Sequence, residues 1–372
     1  MHTREELRAR QRDVFFSISL IFTSSPPSKW SSVQEKTILV SGVTGYIAAQ
    51  IARAFLDAGF KVRGTSRSRS STAILTEGPL KSDFEAGRFE VVEVPDITVA
   101  GAFDEAAKGV YAIAHTATPV SMSFTDPEPI LHAAVNGTKS ILESSLKAGP
   151  QLKTVVFMSS IAAIVSNNEP PYTYTEKDWN NVSEALVSQL GKNAPGPQIY
   201  IASKAAAEKA FWKFRDDNKP SAVYAAINPV LVTGPPLALP KDPANIGETV
   251  RNIWQILSGQ EHPPPLIPGG AFYVDVRDVA RLFVWAVQHP EEANGERYIA
   301  FGEPGSEQRI ADVLRENYPE RRNVIKEGSP GVYPPFSGIG VDSSKAIKAT
   351  GQAFIGYDQS VLDAAKAFEV YL

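Results

Sequence analysis

From Thr37 onward the chain alternates between two hydrophobic rhythms. Thr37–Gly42 (TILVSG) is a β-branched, apolar run ending in glycine, the pattern of a strand buried on both faces. At Gly45 the period changes. Ile47, Ile51, Ala54, Phe55 and Ala58 fall on one face of a helix that Gly59 closes. Further short strands are predicted at Phe60–Thr65, Phe89–Val94, Gly109–Thr116, Lys153–Ser160 and Ser221–Asn228, with helical periodicity over Pro129–Ala148 and Ile199–Lys213. Apolar strands alternating with helices predict an α/β fold, a doubly wound parallel sheet.

Past Pro229 the texture changes. Pro235, Pro236, Pro240 and Pro243, then Pro263–Pro265 and Pro268, interrupt any regular element, and such a stretch cannot lie in a central sheet. It predicts a smaller C-terminal lobe of loops and short helices over the sheet edge. The expected division is a first domain over 36–228 and a lobe over 229–372. Within the lobe segment, 272–301 returns to the sheet domain through a helix at Asp275–Gln288 and a strand at Arg297–Phe301. Ile310–Tyr318 and Ser343–Leu372 end the chain with helical patterns.

Residues 1–35 stand apart from this alternation. Met1–Asp13 mixes Arg with Glu, and the apolar run Val14–Phe22 is less than half of the roughly 20 residues that span a bilayer, so no membrane span is predicted. Arginines before an apolar run suit a targeting peptide, but Glu5, Glu6 and Asp13 dilute the charge and no small-residue cleavage site follows. A disordered leader is the other reading, and the expected location is cytoplasmic.

Composition narrows the chemistry. With 37 basic and 41 acidic residues among 372, the charge balance carries no nucleic-acid footprint. The absence of cysteine excludes disulfides, thiolate metal sites and thiol catalysis. The five histidines, at 2, 115, 132, 262 and 289, have no metal-ligand spacing, so no metal is expected. His115, inside an apolar strand, reads as a core residue rather than a base.

Three motifs carry function. Between the first strand and first helix stands Gly42-Val43-Thr44-Gly45-Tyr46-Ile47-Ala48, spaced G-x-x-G-x-x-A. Glycines there let a pyrophosphate approach the backbone N–H groups at a helix N-terminus, which predicts dinucleotide binding. Tyr200 alone among the tyrosines has Lys four residues on, at Lys204, on the same face of a predicted helix. An ammonium beside a phenol lowers its pKa and makes it a usable general acid–base. Ser159 and Ser160 end the fifth strand at the edge where α/β sheets bind ligands, and a serine there can hold a carbonyl oxygen. Strand alternation does not choose between the two.

Together these motifs resemble the extended short-chain dehydrogenase/reductase superfamily. Closer still, the chain resembles its dihydroflavonol-reductase-like branch and the fungal NADPH-dependent carbonyl and aldehyde reductases within it. The resemblance runs from about Thr37 onward and includes Lys61–Ser68 (KVRGTSRS), Thr175–Asn180 (TEKDWN) and Val274–Ala280 (VDVRDVA). It implies Ser160, Tyr200 and Lys204 as catalytic residues, Tyr200 and Lys204 also binding the cofactor, with Asn136 at a position often drawn into the proton relay. It also implies that Asp96 and Ile97 flank the adenine, and that Thr116, Ala117, Thr118 and Pro229–Val232 line the nicotinamide half. Ser41 stands where the family usually has Thr, and the second basic residue expected after Arg67 has no clean counterpart.

Cofactor choice is legible in the residues themselves. An NAD site places a carboxylate at the end of the second strand. Here that strand runs into Ser66-Arg67-Ser68-Arg69-Ser70-Ser71-Thr72, with no acid before Glu77. Guanidinium groups and hydroxyls suit the 2′-phosphate of NADPH/NADP+. The expected activity is NADPH-dependent reduction of a hydrophobic small-molecule carbonyl substrate. A nucleotide-sugar epimerase or dehydratase and a non-catalytic dinucleotide sensor are the alternatives. Ser160 is followed by Ile161-Ala162-Ala163, without a dehydratase's acidic pair, and a sensor has no need of the Tyr/Lys pair.

Overall fold

The computed structural model describes residues 36–263, 271–334 and 338–372. The leader read over 1–35, together with Pro264, Pro265 and Pro268, lies outside the described residues.

Seven parallel strands form the main sheet: β1 (Thr37–Val40), β2 (Lys61–Ser66), β3 (Phe89–Glu93), β4 (Ala112–His115), β5 (Thr154–Met158), β6 (Val223–Pro229) and β7 (Arg297–Ala300). Their spatial order is β7-β6-β5-β4-β1-β2-β3. The chain begins in the middle, winds outward to β3, then returns to lay β4 on the other side of β1. Connections leaving β1 and β4 therefore diverge, and a crevice opens at their carboxyl ends. The doubly wound parallel sheet expected from the strand pattern is the fold observed.

The longer helices are α1 (Tyr46–Asp57), α2 (Pro127–Leu146), α3 (Gly196–Asn218), α4 (Glu248–Leu257), α5 (Val276–Gln288), α6 (Glu307–Asn317) and α7 (Tyr357–Phe368). Helices α2 and α3 pack together over a sheet face that presents Leu39, Ile113, Val155, Phe157, Tyr224 and Ala226. Alternation sends Ile38, Val40, Ala112, Ala114 and Val156 to the opposite face, also fully buried, while α1 and α5 pack against each other. Burial on both faces is why these strands read as continuous apolar runs.

Several elements depart from the sequence pattern, each for a physical reason. The segment past Pro229 is not only loops and helices. Leu231–Thr233, Ala271–Asp275 and Glu303–Gly305 form a three-stranded sheet, and Tyr172–Tyr174, in the proline-rich loop, pairs with Ile339–Val341. Four of these five strands have only three residues, too short to show a period. Helix α3 outruns the 199–213 prediction at both ends: proline fits its first turn, and Lys219 closes it at φ 46°. The helical tail from Ser343 breaks at Gly351, whose φ of +66° ends one helix before α7 begins. Helices α4, α6 and α7 enclose a second apolar core containing Ile253, Leu314 and Phe368. Trp254 is buried there, edge-on to Phe368 and Tyr371, so it packs that core. No described helix is long and apolar enough to cross a membrane.

Candidate active site

The turn after β1 is shaped to let a ligand approach backbone. Gly42 adopts φ +66°, and a Cβ there would stand 3.1 Å from the Ala117 Cβ, so both conformation and space require glycine. Its N–H donates to Thr65 Oγ1 at 3.2 Å, and Val43 N–H donates to Thr65 O at 2.8 Å, fixing the turn on β2. Helix α1 then starts behind Gly45 with no side chain capping its first N–H groups. Thr44 and Gly45 are exposed and Ile47 is half-buried. An uncapped helix N-terminus behind a bare turn fits a pyrophosphate. Tyr46 Oη donates to Gly234 O at 2.8 Å and so ties the turn to the chain just after Leu231–Thr233. Burial pushes that phenol up.

Ser41 joins the ends of β1 and β4. Its Oγ accepts the N–H groups of Thr116 (2.9 Å) and Ala117 (3.0 Å) and lies 2.9 Å from His115 Nδ1, while Thr116 Oγ1 donates back to Ser41 O. His115 stacks on Phe157, and its pKa is lowered to about 3, chiefly by burial and secondly by the charge of Lys204. It is a neutral core residue at physiological pH. Thr118 Oγ1, one step further on, is buried without a hydrogen-bond partner among the described residues. Pro229 ends β6, and Val232 lies buried in the small sheet opposite Val274.

At the end of β2, Arg67 is exposed and forms no hydrogen bond or ion pair with the described residues. The hydroxyls of Ser68 and Ser70 meet each other at 3.1 Å, and Ser66 and Ser71 at 2.5 Å. A free guanidinium on a hydroxyl-rich loop fits a phosphate dianion. One acid reaches this loop that the local sequence did not reveal: Glu93, from the end of β3, accepts the Arg69 N–H at 2.5 Å. Asp96, further along the same edge, accepts the Thr98 hydroxyl and N–H, and these bonds hold its carboxyl below the usual range. Ile97 packs where Gly137 leaves α2 bare; a Cβ there would come within 2.8 Å of Ile97 Cδ1.

The catalytic candidates meet where β5 ends. Ser160 Oγ accepts from Tyr200 Oη at 3.5 Å and from the Ala162 N–H at 3.2 Å. Ser159 Oγ turns the other way and donates to Glu208. Neighbouring residues on an extended chain point to opposite sides, and here the second serine faces Tyr200. Lys204, buried on α3, donates from Nζ to Met158 O at 2.9 Å. Burial lowers its pKa to about 8, against an opposing pull from Glu208. For Tyr200 the expected depression by lysine is not what the arrangement gives. Burial pushes the phenol up, the Ser160 bond opposes this, and Glu248 adds to it. The lysine ammonium donates to a backbone carbonyl, and burial keeps the phenol protonated. Asn136 makes no hydrogen bond to these residues; its Nδ2 meets His132 Nε2 at 2.8 Å on its own helix. Among the described residues, no group of histidines and acids could hold a metal.

Fold and site together define a dinucleotide-dependent member of the doubly wound class. Residues 38–300 match the NAD dependent epimerase/dehydratase family, and the chain belongs to that family, the extended short-chain dehydrogenase/reductases. It is 33% identical over 345 residues to the NADPH-dependent methylglyoxal reductase of Saccharomyces cerevisiae, covering 88% of this chain and 97% of that protein. It is also 33% identical over 342 residues to a ketoreductase of Aspergillus niger, covering 88% of this chain and 96% of the relative. The crystal structure of the yeast methylglyoxal/isovaleraldehyde reductase complexed with NADPH superposes with a TM-score of 0.77 at 29% identity, covering 90% of this chain and 99% of that one.

Proposed function

We propose that this chain reduces the carbonyl of an uncharged, hydrophobic aldehyde or ketone, with Ser160 holding the oxygen and Tyr200 giving it a proton. The chain is an NADP-dependent oxidoreductase of the carbonyl-reducing kind. The observation that carries the finer reading is the convergence of the Ser160 hydroxyl and a protonated Tyr200 phenol at the carboxyl edge of the sheet. When bound, NADPH supplies the hydride. In this reading Thr44–Ile47 hold its pyrophosphate, Arg67 reads its 2′-phosphate, Asp96 and Ile97 flank the adenine, and Thr116–Thr118 with Pro229 face the nicotinamide half. The segments 36–228 and 272–301 would then hold the cofactor, and the remainder of 229–372 would cover the substrate. An apolar cleft lined by Pro236, Leu237, Leu239, Ile246, Val250 and Phe368 borders Thr44–Tyr46 and touches neither Ser160 nor Tyr200. It extends the cofactor cradle on the lobe side.

A panel of uncharged aldehydes, β-ketoesters and aryl ketones, assayed with NADPH, tests the reading. Turnover should favour apolar members, whereas tight NADPH binding with no turnover on any of them would defeat it. Loss of one charge-assisted contact of roughly 1.5–3 kcal/mol means that Arg67→Ala should weaken NADPH binding about ten- to a hundredfold and leave NADH binding nearly unchanged. Equal losses for both cofactors in a fluorescence titration would show that Arg67 supports the loop instead.

Lysine chemistry sets the pH dependence. Lys204 is an ammonium below its pKa of about 8 and neutral above it, and Tyr200, pushed up, still holds its proton there. If the ammonium is needed, kcat/KM should stay level through neutrality and decline on the alkaline side of pH 8 or so. A rate that stays flat into the ordinary lysine range would separate Lys204 from the chemistry.

A further inference from the structure

Behind the two serines lies a charged pair that the proposed chemistry does not use. Glu208 is fully buried one helical turn beyond Lys204 on α3. Arg297, on β7 and also buried, donates to it from Nε at 2.7 Å and from Nη2 at 3.2 Å. Trp212 Nε1 donates to the same carboxylate at 3.1 Å, Asn228 Nδ2 at 2.7 Å, and Ser159 Oγ adds a further bond. Arg297 lies 3.8 Å over the Trp179 ring and reaches the carbonyls of Glu176 and Asp178 through Nη1 and that of Ala163 through Nη2. Desolvating two charges is costly, and an apolar pair of similar volume would often hold the fold as well. The placement of these charges is the informative point.

Three arms of the pair reach the segment that carries Ser160. Asn228 Nδ2, while bonded to Glu208, also donates to Ser160 O at 3.1 Å. Ser159 is held by Glu208 itself, and Ala163 by Arg297. On the other flank Lys204 holds Met158 O. The groups facing Lys204 are Glu208 and the protonated Tyr200 on its own helix and the neutral His115 on β4, with Arg297 behind the carboxylate. Glu208 is the anion among them.

We propose that Glu208, locked by Arg297, is the positioning residue of this site: through Ser159 and Asn228 it fixes the backbone that aims Ser160, and through its charge it keeps Lys204 an ammonium in a buried place. The proposal rests on the reductase reading for what Ser160 and Lys204 do, but not for their positions or charge.

The test uses the full chain with its lysines labelled at 13Cε, the Lys204 signal being assigned by Lys204→Arg. Removing one charge would strand the other, so the carboxylate and guanidinium are removed together in Glu208→Gln/Arg297→Met. In that double variant the Lys204 titration midpoint should fall by about one pH unit or more, because an anion nearby no longer favours the charged form. At neutral pH kcat should fall about ten- to a hundredfold, and its alkaline limb should move with the midpoint. Glu208→Asp, which keeps the charge, should restore most of the midpoint. Asn228→Ala keeps the ion pair and cuts the arm to Ser160; kcat should fall about tenfold with the Lys204 midpoint unmoved. An unchanged midpoint in the double variant, or an unchanged kcat in Asn228→Ala, would overturn the proposal and leave the pair as a structural brace. A wild-type chain that reduces no carbonyl, yet whose Lys204 midpoint drops in the double variant, would sink the reductase reading alone and uphold the electrostatic half of the positioning.

Discussion

Tyr200→Phe should reduce kcat by about a hundred- to ten-thousandfold, the range that a positioned general acid supplies. The substitution keeps the ring in its place on α3 and deletes only the hydroxyl, which bonds Ser160 Oγ at 3.5 Å. Burial and Glu248 both favour the protonated phenol, the form that gives a proton to an oxygen taking up negative charge. No contact places the Tyr200 hydroxyl in the proposed phosphate cradle. NADPH affinity should therefore change little, and the loss should appear in kcat rather than in cofactor binding. Steady-state kinetics beside a fluorescence titration of NADPH would check both halves. Near-normal turnover would remove Tyr200 from the chemistry.

The second large effect separates two adjacent serines. Ser160→Ala should lower kcat roughly a hundred- to a thousandfold, as loss of a donor to a developing oxyanion does. Ser159→Ala should cost the rate far less and stability more. Its hydroxyl donates to the buried carboxylate of Glu208, and losing a hydrogen bond to a charged group costs about 1.5–3 kcal/mol. Measuring kcat and Tm for both variants gives a crossed pattern: rate lost in one, stability in the other. If Ser159→Ala is the slower enzyme, the assignment of Ser160 is wrong.

Sequence pattern carried the sheet well because its strands are buried on both faces and its helices keep one apolar stripe. It carried the glycine turn for the same reason: Gly42 has a backbone conformation and a neighbour, Ala117, that other residues would not tolerate. What it could not carry was contact between distant segments. Ser41 bridges to Thr116 and Ala117, and Glu93 reaches the loop after β2, both across strand pairings that no local period encodes. Spacing alone could not orient Ser159 and Ser160, since alternation gives opposite directions but not which direction is the site. One signal lay in plain view. Tyr200, Lys204 and Glu208 succeed one another at four-residue steps on one face of α3, but that spacing alone does not tell a buried acid from a surface pair. Nor does spacing report the burial of the phenol or that Lys204 Nζ donates to the carbonyl of Met158.

In the proposed reaction, hydride passes from the nicotinamide to a carbonyl carbon while Tyr200 protonates the oxygen. It is tested most directly by running the reaction with NADPH carrying deuterium at its transferable position and analysing the product by mass spectrometry and NMR. The expected result is one deuterium on the carbinol carbon for each NADPH consumed, with the hydroxyl proton drawn from solvent. Product without the label, or label returned to the cofactor as in an epimerase cycle, would contradict it.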